Sequence, residues 1–285
     1  MAAGMNKSEY PAPETEAAIS VLVELFTYLG PYQENIVLIG GWVPFFLTRG
    51  RITGEPHVGS LDVDLALNLT NIPDDVYARI EEILEKRNFK QRLDKKGDPV
   101  PHSYVRHIER SGREFDVQID FLAPEYGGSP KSKRHQRVQG LLAHKARGSD
   151  LVFEHFEEKT IEAVLPNGAK HEVTVRIADP LACVVMKAVA FGSRAKEKDA
   201  YDLYFICKNI PNAIDRIGQE LKKNKTTKVV DEALNILRSR FASVDSLGPV
   251  SVTNFLEETD DADRAMRCRD AFETIQALLG VVGEK

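Results

Sequence analysis

The sequence predicts an α/β (α+β) front half, a mixed sheet flanked by helices, followed by an all-helical back half. Three observations carry this expectation. Short β-branched or alternating runs are interleaved with helix-periodic segments only as far as residue 178. From Asp179-Pro180 onward the apolar spacing is helical throughout. The order helix, strand, helix, strand, helix, strand, strand has no regular βαβ repeat. The expected domains are therefore 1–178 and a helical C-terminal domain over 179–285.

Each element has a local reason. Residues 15–29 carry apolar side chains at helical spacing, and Gly30-Pro31 stops them. Residues 36–39 form a β-branched run that reads as a buried strand, ending in Gly40-Gly41 and passing into a short helix from Trp42. Residues 50–60 hold three glycines and a proline and read as a loop. Residues 62–67 alternate polar and apolar, which is strand behaviour. Pro73 and Asp74 open a helix over 74–87, and strands follow at 103–109 and 113–122 around a Ser111-Gly112 turn. Residues 131–147 carry six Lys or Arg and no acid, as a solvated helix or loop would, or a patch for RNA or a triphosphate tail. A hairpin is expected at 160–165 and 170–177, turned by Pro166-Asn167-Gly168. Helices are then expected at 180–191, 199–208, 213–223, 229–241 and 261–281.

Composition excludes several classes. The 285 residues are 42% apolar and 28% charged, which fits a folded domain and not disorder or a coiled-coil array. With 38 Lys plus Arg against 43 Asp plus Glu, the net charge of −5 argues against coating nucleic acid by bulk charge. Cys183, Cys207 and Cys268 form no CxxC pair, so neither a zinc site nor a disulfide framework is expected, and a reducing cytoplasm is the simplest setting. The seven histidines are scattered without HxxxH or HxH. The N-terminal residues do not read as a signal peptide, and residues 36–48 are too short an uncharged stretch to span a bilayer.

The most informative local feature is Ser60-Leu61-Asp62-Val63-Asp64. On a strand Asp62 and Asp64 point to one face about 6–7 Å apart. Two carboxylates held so repel each other unless a divalent cation lies between them, and a two-ion site of about 3.5–4 Å spacing suits such a pair. Mg²⁺, with Mn²⁺ as a substitute, fits these oxygen ligands best. Two solvated aspartates are the competing reading. Asp116, Gln118 and Asp120 share one face of a later strand, so Asp116 or Asp120 could supply a third acid, as metal ligand or as proton acceptor. Gly40-Gly41 stands where a strand turns into a helix, where backbone N–H groups can approach a phosphate; tight strand–helix packing is the alternative. No GxxxxGK[ST], GxGxxG or GxSxG motif is present, so a P-loop, a dinucleotide fold and a serine hydrolase are not expected.

Taken in order, these residues resemble the nucleotidyltransferase superfamily, which has the fold of DNA polymerase beta. Its pattern is an apolar strand, Gly-Gly or Gly-Ser, a variable loop, then [DE]x[DE] and a third acid on a later strand. Here Leu38-Ile39-Gly40-Gly41 is followed by Asp62 and Asp64, and Asp120 in Ile119-Asp120-Phe121-Leu122 best matches the third acid. Lys187-x-x-Ala190-x-x-x-Arg194, then Lys196-Glu197-Lys198-Asp199-Ala200-Tyr201-Asp202-Leu203, is similar to the paired motifs of AbiEii-type nucleotidyltransferases, toxins of type IV toxin–antitoxin systems. Ser60 before Asp62 fits their [ST]xDxD. Lys196 stands where that family commonly has Arg, Val58 replaces an Arg two residues before Ser60, and the segment from Gly41 to Asp62 is longer than typical.

The resemblance implies a Mg²⁺-dependent transfer of a nucleoside monophosphate from an NTP to an acceptor, with tRNA or protein as acceptor and an antitoxin as partner. It implies metal and catalytic roles for Asp62, Asp64 and Asp120, and nucleotide contacts by Gly40, Gly41, Ser60, Lys187, Arg194, Lys198, Asp199 and Asp202. Lys187 follows an apolar helical stretch and should have a carboxylate or phosphate partner, because a lone buried cation is costly. Asp199 and Asp202, three apart on one helix, would orient the basic groups, and a surface ion-pair network is the competing reading. A non-catalytic nucleotide-binding protein keeping this fold is the main alternative. A phosphatase or glycosyltransferase built on DxD fits less well, since Gly59-Ser60 precedes the aspartates and only about 60 residues lie before them.

Overall fold

The computed structural model describes residues 6–50, 55–68, 74–124, 135–138 and 141–283. The chain forms two compact units. The first comprises the described residues of Pro11–Val43 and Gly59–Asp179, and the second those of Met1–Tyr10, Pro44–Val58 and Pro180–Lys285.

The first unit contains α1 (Ala12–Tyr28), β1 (Ile36–Ile39), the start of α2 (Trp42–Thr48), β2 (Asp62–Leu67), α3 (Asp74–Lys86), β3 (Phe89–Leu93), β4 (Pro99–Arg110), β5 (Arg113–Pro124), β6 (His135–Val138), β7 (Leu141–Ala146), β8 (Phe156–Val164) and β9 (Lys170–Ala178). Among the described residues the strands form one nine-stranded sheet in the order β3-β4-β5-β2-β1-β9-β8, with β7 also paired to β5 and β6 to β7. It is mixed: β1 runs antiparallel to β2 and parallel to β9, and β2 runs parallel to β5. The β4–β5 hairpin turns through Ser111 and Gly112, both at positive φ (53° and 74°), which suits the twist of the flanking strands.

The two faces of the sheet differ. Val63, Leu65, Ile119 and Phe121 are fully buried on one face, while Asp62, Asp64, Gln118 and Asp120 alternate with them on the other. Helix α1 lies on the apolar face, since Glu24 of α1 takes Nε of Arg106 at 2.9 Å, and Arg106 is paired in register with Val117. The helix thereby leaves the acidic face uncovered by its own side chains.

The second unit holds α4 (Pro180–Arg194), α5 (Glu197–Asn209), α6 (Ala213–Lys223), α7 (Lys228–Arg240), α8 (Leu247–Phe255) and α9 (Asp261–Val282). Tyr201 and Phe205 of α5 pack on Phe255 of α8, with Tyr10 and Val58 against them. No described helix is long and apolar enough to cross a membrane.

Three departures from the sequence expectations have physical reasons. The basic stretch is not a helix where it is described: His135–Val138 and Leu141–Ala146 are strands, because β7 finds a pairing edge on β5; the rest of 131–147 up to residue 140 lies outside the described residues. Strand β3 has no apolar alternation and is placed by Phe89, whose ring is buried, after Asn88 ends α3 at φ 62°. Helix α8 carries Gly248-Pro249 in its first turn, where a missing N–H costs nothing. A Cβ at Gly248 would lie 2.6 Å from the Phe241 ring, so glycine there is set by close approach.

Candidate active site

The acidic site of the first unit is built by three adjacent strands. β1 and β2 pair so that Ile39 faces Asp64, and β2 and β5 pair so that Asp62 faces Gln118 and Asp64 faces Asp120. Paired residues project to the same face, so Asp62, Asp64 and Asp120 share it. Gly40 follows Ile39 at φ +75°, and a Cβ there would fall 2.1 Å from Oδ2 of Asp64. The glycine is required twice over, by its left-handed backbone and by the carboxylate that occupies the space a side chain would fill. Gly41 is buried directly after it.

Local hydrogen bonds hold the strand entry. Ser60 Oγ donates to Asp62 Oδ1 at 2.5 Å, and Trp42 Nε1 donates to the Asp62 carbonyl at 2.8 Å. Gly59, at φ +81°, lies under the same indole, with the position of a Cβ only 2.9 Å from the ring. Trp42 is thus a buried buttress for the entry to β2. Of the two candidates for the third acid, Asp120 stands opposite Asp64, whereas Asp116 precedes the β2 register, is 71% exposed and accepts from His107 Nδ1 at 2.8 Å.

The donors are all hard oxygens, which suits Mg²⁺. Asp120 Oδ2 accepts from Gln118 Nε2 at 2.8 Å, but its Oδ1 is buried and has no hydrogen-bond partner. A buried carboxylate oxygen without a donor is costly, and a cation relieves that cost. Among the described residues, however, no three His, Cys, Asp or Glu side chains are drawn together into a closed ligand set. The backbone brings the three acids to one face, while Asp62 is turned to Ser60 and Asp120 to Gln118. The fit is one of position and chemistry.

The second unit contains a buried ionic cluster. α4 ends at Arg194, Ala195 takes a left-handed φ of 50°, and α5 begins at once, so the two motif helices fold back on each other. Arg194 grips Asp199 with Nε at 2.7 Å and Nη2 at 2.8 Å, a bidentate pair five residues apart. Lys187 Nζ lies 2.6 Å from Asp202 Oδ2 and 3.2 Å from Asp199 Oδ1. Lys198 Nζ reaches both oxygens of Asp202, at 3.0 and 3.2 Å. Lys187, Asp199 and Asp202 are all buried, and half of the Arg194 side chain is exposed. The network is interior, not a surface one.

Burial works against every charge here, and the partners decide the outcome. Burial raises the Asp202 carboxyl, but Lys187 and Lys198 outweigh it and hold it far below its ordinary value. Asp199 is likewise held low by Lys187 and Arg194 against its burial. Lys187 is pushed down by burial and, more strongly, up by the two aspartates, so it stays charged. Lys198 is shifted down by burial, with Lys187 adding to the effect.

His57 completes this cluster and carries no sequence signal. Its Nε2 lies 2.8 Å from Asp202 Oδ1, its ring stacks on Tyr201 at 5.2 Å, and Phe205 meets it edge-on at 4.9 Å. Burial lowers its pKa to about 4, so near neutrality it is an uncharged hydrogen-bonding partner. The signal that could have found it is negative. The segment between Gly41 and Asp62 is longer than typical and reads as a loop, and its one histidine has no spacing motif.

The sequence-selected residues thus gather within each unit: Gly40, Gly41, Ser60, Asp62, Asp64 and Asp120 in the first, and Lys187, Arg194, Lys198, Asp199 and Asp202 in the second. No curated protein matches the chain. A family model described as nucleotidyltransferase matches residues 17–208. That span begins in α1, runs through the whole sheet and ends in α5, so it contains the strand acids and the ionic cluster together. Covering about two-thirds of the sequence, it shows that the chain belongs to the nucleotidyltransferase family.

Proposed function

We propose that this nucleotidyltransferase moves a nucleoside monophosphate from an NTP to a hydroxyl group of an acceptor, RNA such as tRNA or a protein side chain, with Mg²⁺ as cofactor. The observation that carries the reading is the register of Asp64 opposite Asp120, with Gly40 shaped to the Asp64 carboxylate.

Asp62, Asp64 and Asp120 would hold the metal, which when bound supplies charge neutralisation of the triphosphate and its leaving group. Ser60 fixes the rotamer of Asp62. Asp120 has one oxygen held by Gln118, and its other oxygen serves as the third metal ligand or, where Asp62 and Asp64 hold the metal by themselves, takes the proton of the attacking hydroxyl. The new bond joins the acceptor oxygen to the α-phosphorus, the bond from the α-phosphorus to the bridging oxygen breaks in line, and pyrophosphate leaves. Gly40 and Gly41 keep side chains out of the strand end, so the triphosphate can approach the backbone. Arg194, half-exposed, is the group we assign to phosphate recognition in the helical unit, with Asp199 orienting its fork. Lys187, Lys198 and Asp202 are more deeply held, and in this reading they set the charge and shape around that group.

The finer reading, an AbiEii-like toxin acting in the cytoplasm and restrained by an antitoxin, rests on the KxxAxxxR and KDxxDL motifs. The test is direct. Protein with Mg²⁺ and each labelled NTP should transfer label to RNA or to itself, and Asp64→Asn should lower the rate by at least a hundredfold. Equal metal–NTP binding by wild type and variant, with no transfer by either, would favour the alternative of a nucleotide-binding protein without turnover.

A further inference from the structure

One row of residues crosses the acid-bearing face of the sheet. Ile39 of β1 faces Asp64 of β2, Asp64 faces Asp120 of β5, and Asp120 faces Ser103 of β4. The row ends on the edge strand, where Arg92 of β3 donates from Nε to Ser103 Oγ at 2.9 Å. Paired residues project to one face, so Ser103 stands beside Asp120 and its hydroxyl holds the Arg92 guanidinium on that side. Ser103 is fully buried, which makes it a fixed anchor. The β3–β4 ladder also breaks at this residue: Gln91 faces Tyr104, but Leu93 faces Pro99, with the register shift between them. Irregularities of this kind re-aim a side chain. Arg92 is a cation without a counterion. A guanidinium has five N–H donors, and Ser103, a neutral partner, takes one. No carboxylate among the described residues pairs with it. On the opposite face Arg106 and Arg110 each have a glutamate, Glu24 and Glu16. Lys90, two residues before Arg92, is exposed and faces Val105, which faces Gln118, so it lies on the acid-bearing face too.

We infer that Arg92, with Lys90 beside it, holds a backbone phosphate of a single-stranded nucleic-acid acceptor. The inference rests on the transfer reading above and deepens it by separating a nucleic-acid acceptor from a protein one. An in-line displacement puts the attacking hydroxyl and the leaving pyrophosphate on opposite sides of the α-phosphorus. Gly40 and Gly41 open the β1 end of the row to the triphosphate, so the acceptor comes from the β5 end, past Asp120. Arg92 lies further along that direction, two interstrand spacings or about 10 Å from Asp120. A phosphate met there belongs to the acceptor. A polynucleotide carries one beside each sugar, and a protein hydroxyl has none. The planar fork of an arginine suits bidentate contact with phosphate, and such contacts fix the position of a strand without reading its sequence. The same face also says which way the strand leaves. Toward the β4–β5 turn it carries Glu109, Glu114 and Asp116, which repel a polyanion, so the strand passes out over β3.

The experiment uses the full-length protein in chelator and a fluorescently labelled single-stranded oligoribonucleotide of mixed sequence, with anisotropy followed over a range of salt. Arg92→Gln should weaken binding about tenfold. It should also lower the slope of log affinity against log salt by about 0.7, the share of one phosphate contact on a single strand. Arg92→Lys should keep the wild-type slope and recover part of the affinity, since it keeps the charge and loses the fork. Lys90→Gln, a change at an exposed side chain, should lower the slope as well, and it carries the test should Arg92→Gln fail to fold. Calorimetry with Mg²⁺ and a non-hydrolysable NTP analogue should give the same affinity for all four proteins. In transfer assays Arg92→Gln should raise the acceptor KM and leave the NTP KM unchanged. The proposal is overturned if wild type does not bind the oligoribonucleotide, or if Arg92→Gln and Lys90→Gln keep its affinity and slope. It is equally overturned if folded Arg92→Gln loses the NTP analogue instead, which would assign the arginine to the triphosphate. Oligoribonucleotide binding that depends on Arg92, with no transfer from any NTP, would keep the phosphate site and sink the catalytic reading, so the two failures are separable.

Discussion

Gly40 shows how much one residue decides at the strand end. Its φ of +75° and an Asp64 carboxylate oxygen standing where a Cβ would have to go leave no room for a methyl group. Gly40→Ala should cost about 1–2 kcal/mol in the backbone alone and displace Asp64, so Tm and transfer activity should fall together. Asp202 presents the opposite case, a buried anion answering two cations and a histidine. Asp202→Asn leaves Lys187 and Lys198 under-compensated and should cost about 3–5 kcal/mol in chemical denaturation. His57 adds a pH signature. Its folded pKa of about 4 lies below the ordinary 6.5. Between these values the unfolded chain binds the extra proton, so the stability is whole above pH 6.5 and is lost as pH falls toward 4. The low carboxyl of Asp202 adds its own loss only below 3.8. Melting curves of wild type and His57→Gln from pH 7 to 4 should show the steeper decline in wild type; parallel curves would contradict a neutral buried histidine.

At the scale of elements, local chemistry explains most boundaries. The Ser111-Gly112 turn, the start of β2 at Asp62 and the helix opening at Pro180 were all legible, because turn residues, alternation and N-terminal proline act over a few neighbours. Strand β3 and strands β6 and β7 were not legible. Their residues have no distinctive period, and an open pairing edge made them strands. Helix α8 was hidden by its glycine and proline, which are harmless in a first turn packed against Phe241. Helix α9 has the clearest cap: Asp260 accepts from the N–H groups of Ala262 and Asp263. Asp260→Ala should lower stability by about 0.5–2 kcal/mol, measurable as a shift in denaturation midpoint without a change in slope.

Across the whole molecule, charge is sorted by position and not by total. The net −5 conceals a face with three acids in one unit and a buried cluster of two lysines, an arginine and two aspartates in the other. If the acids hold Mg²⁺, binding to the folded chain must stabilise it by mass action. Millimolar Mg²⁺ should raise the Tm of wild type by a few degrees, and Asp64→Asn should abolish most of that rise. An equal shift in both proteins would place the ion elsewhere.

The sequence by itself determined the order of glycine turn, SxDxD and third acid, and the paired motifs of α4 and α5. Each of these is read from residue type and short spacing. Only the tertiary structure decided between Asp116 and Asp120 as the partner of Asp64, because strand register is a long-range pairing that no local pattern encodes. It also placed the described residues of Pro44–Val58 in the helical unit and brought His57 to Asp202, 145 residues away in sequence. A buried histidine is drawn there by packing against Tyr201 and Phe205 and by one hydrogen bond, and those forces leave no periodic trace in the chain.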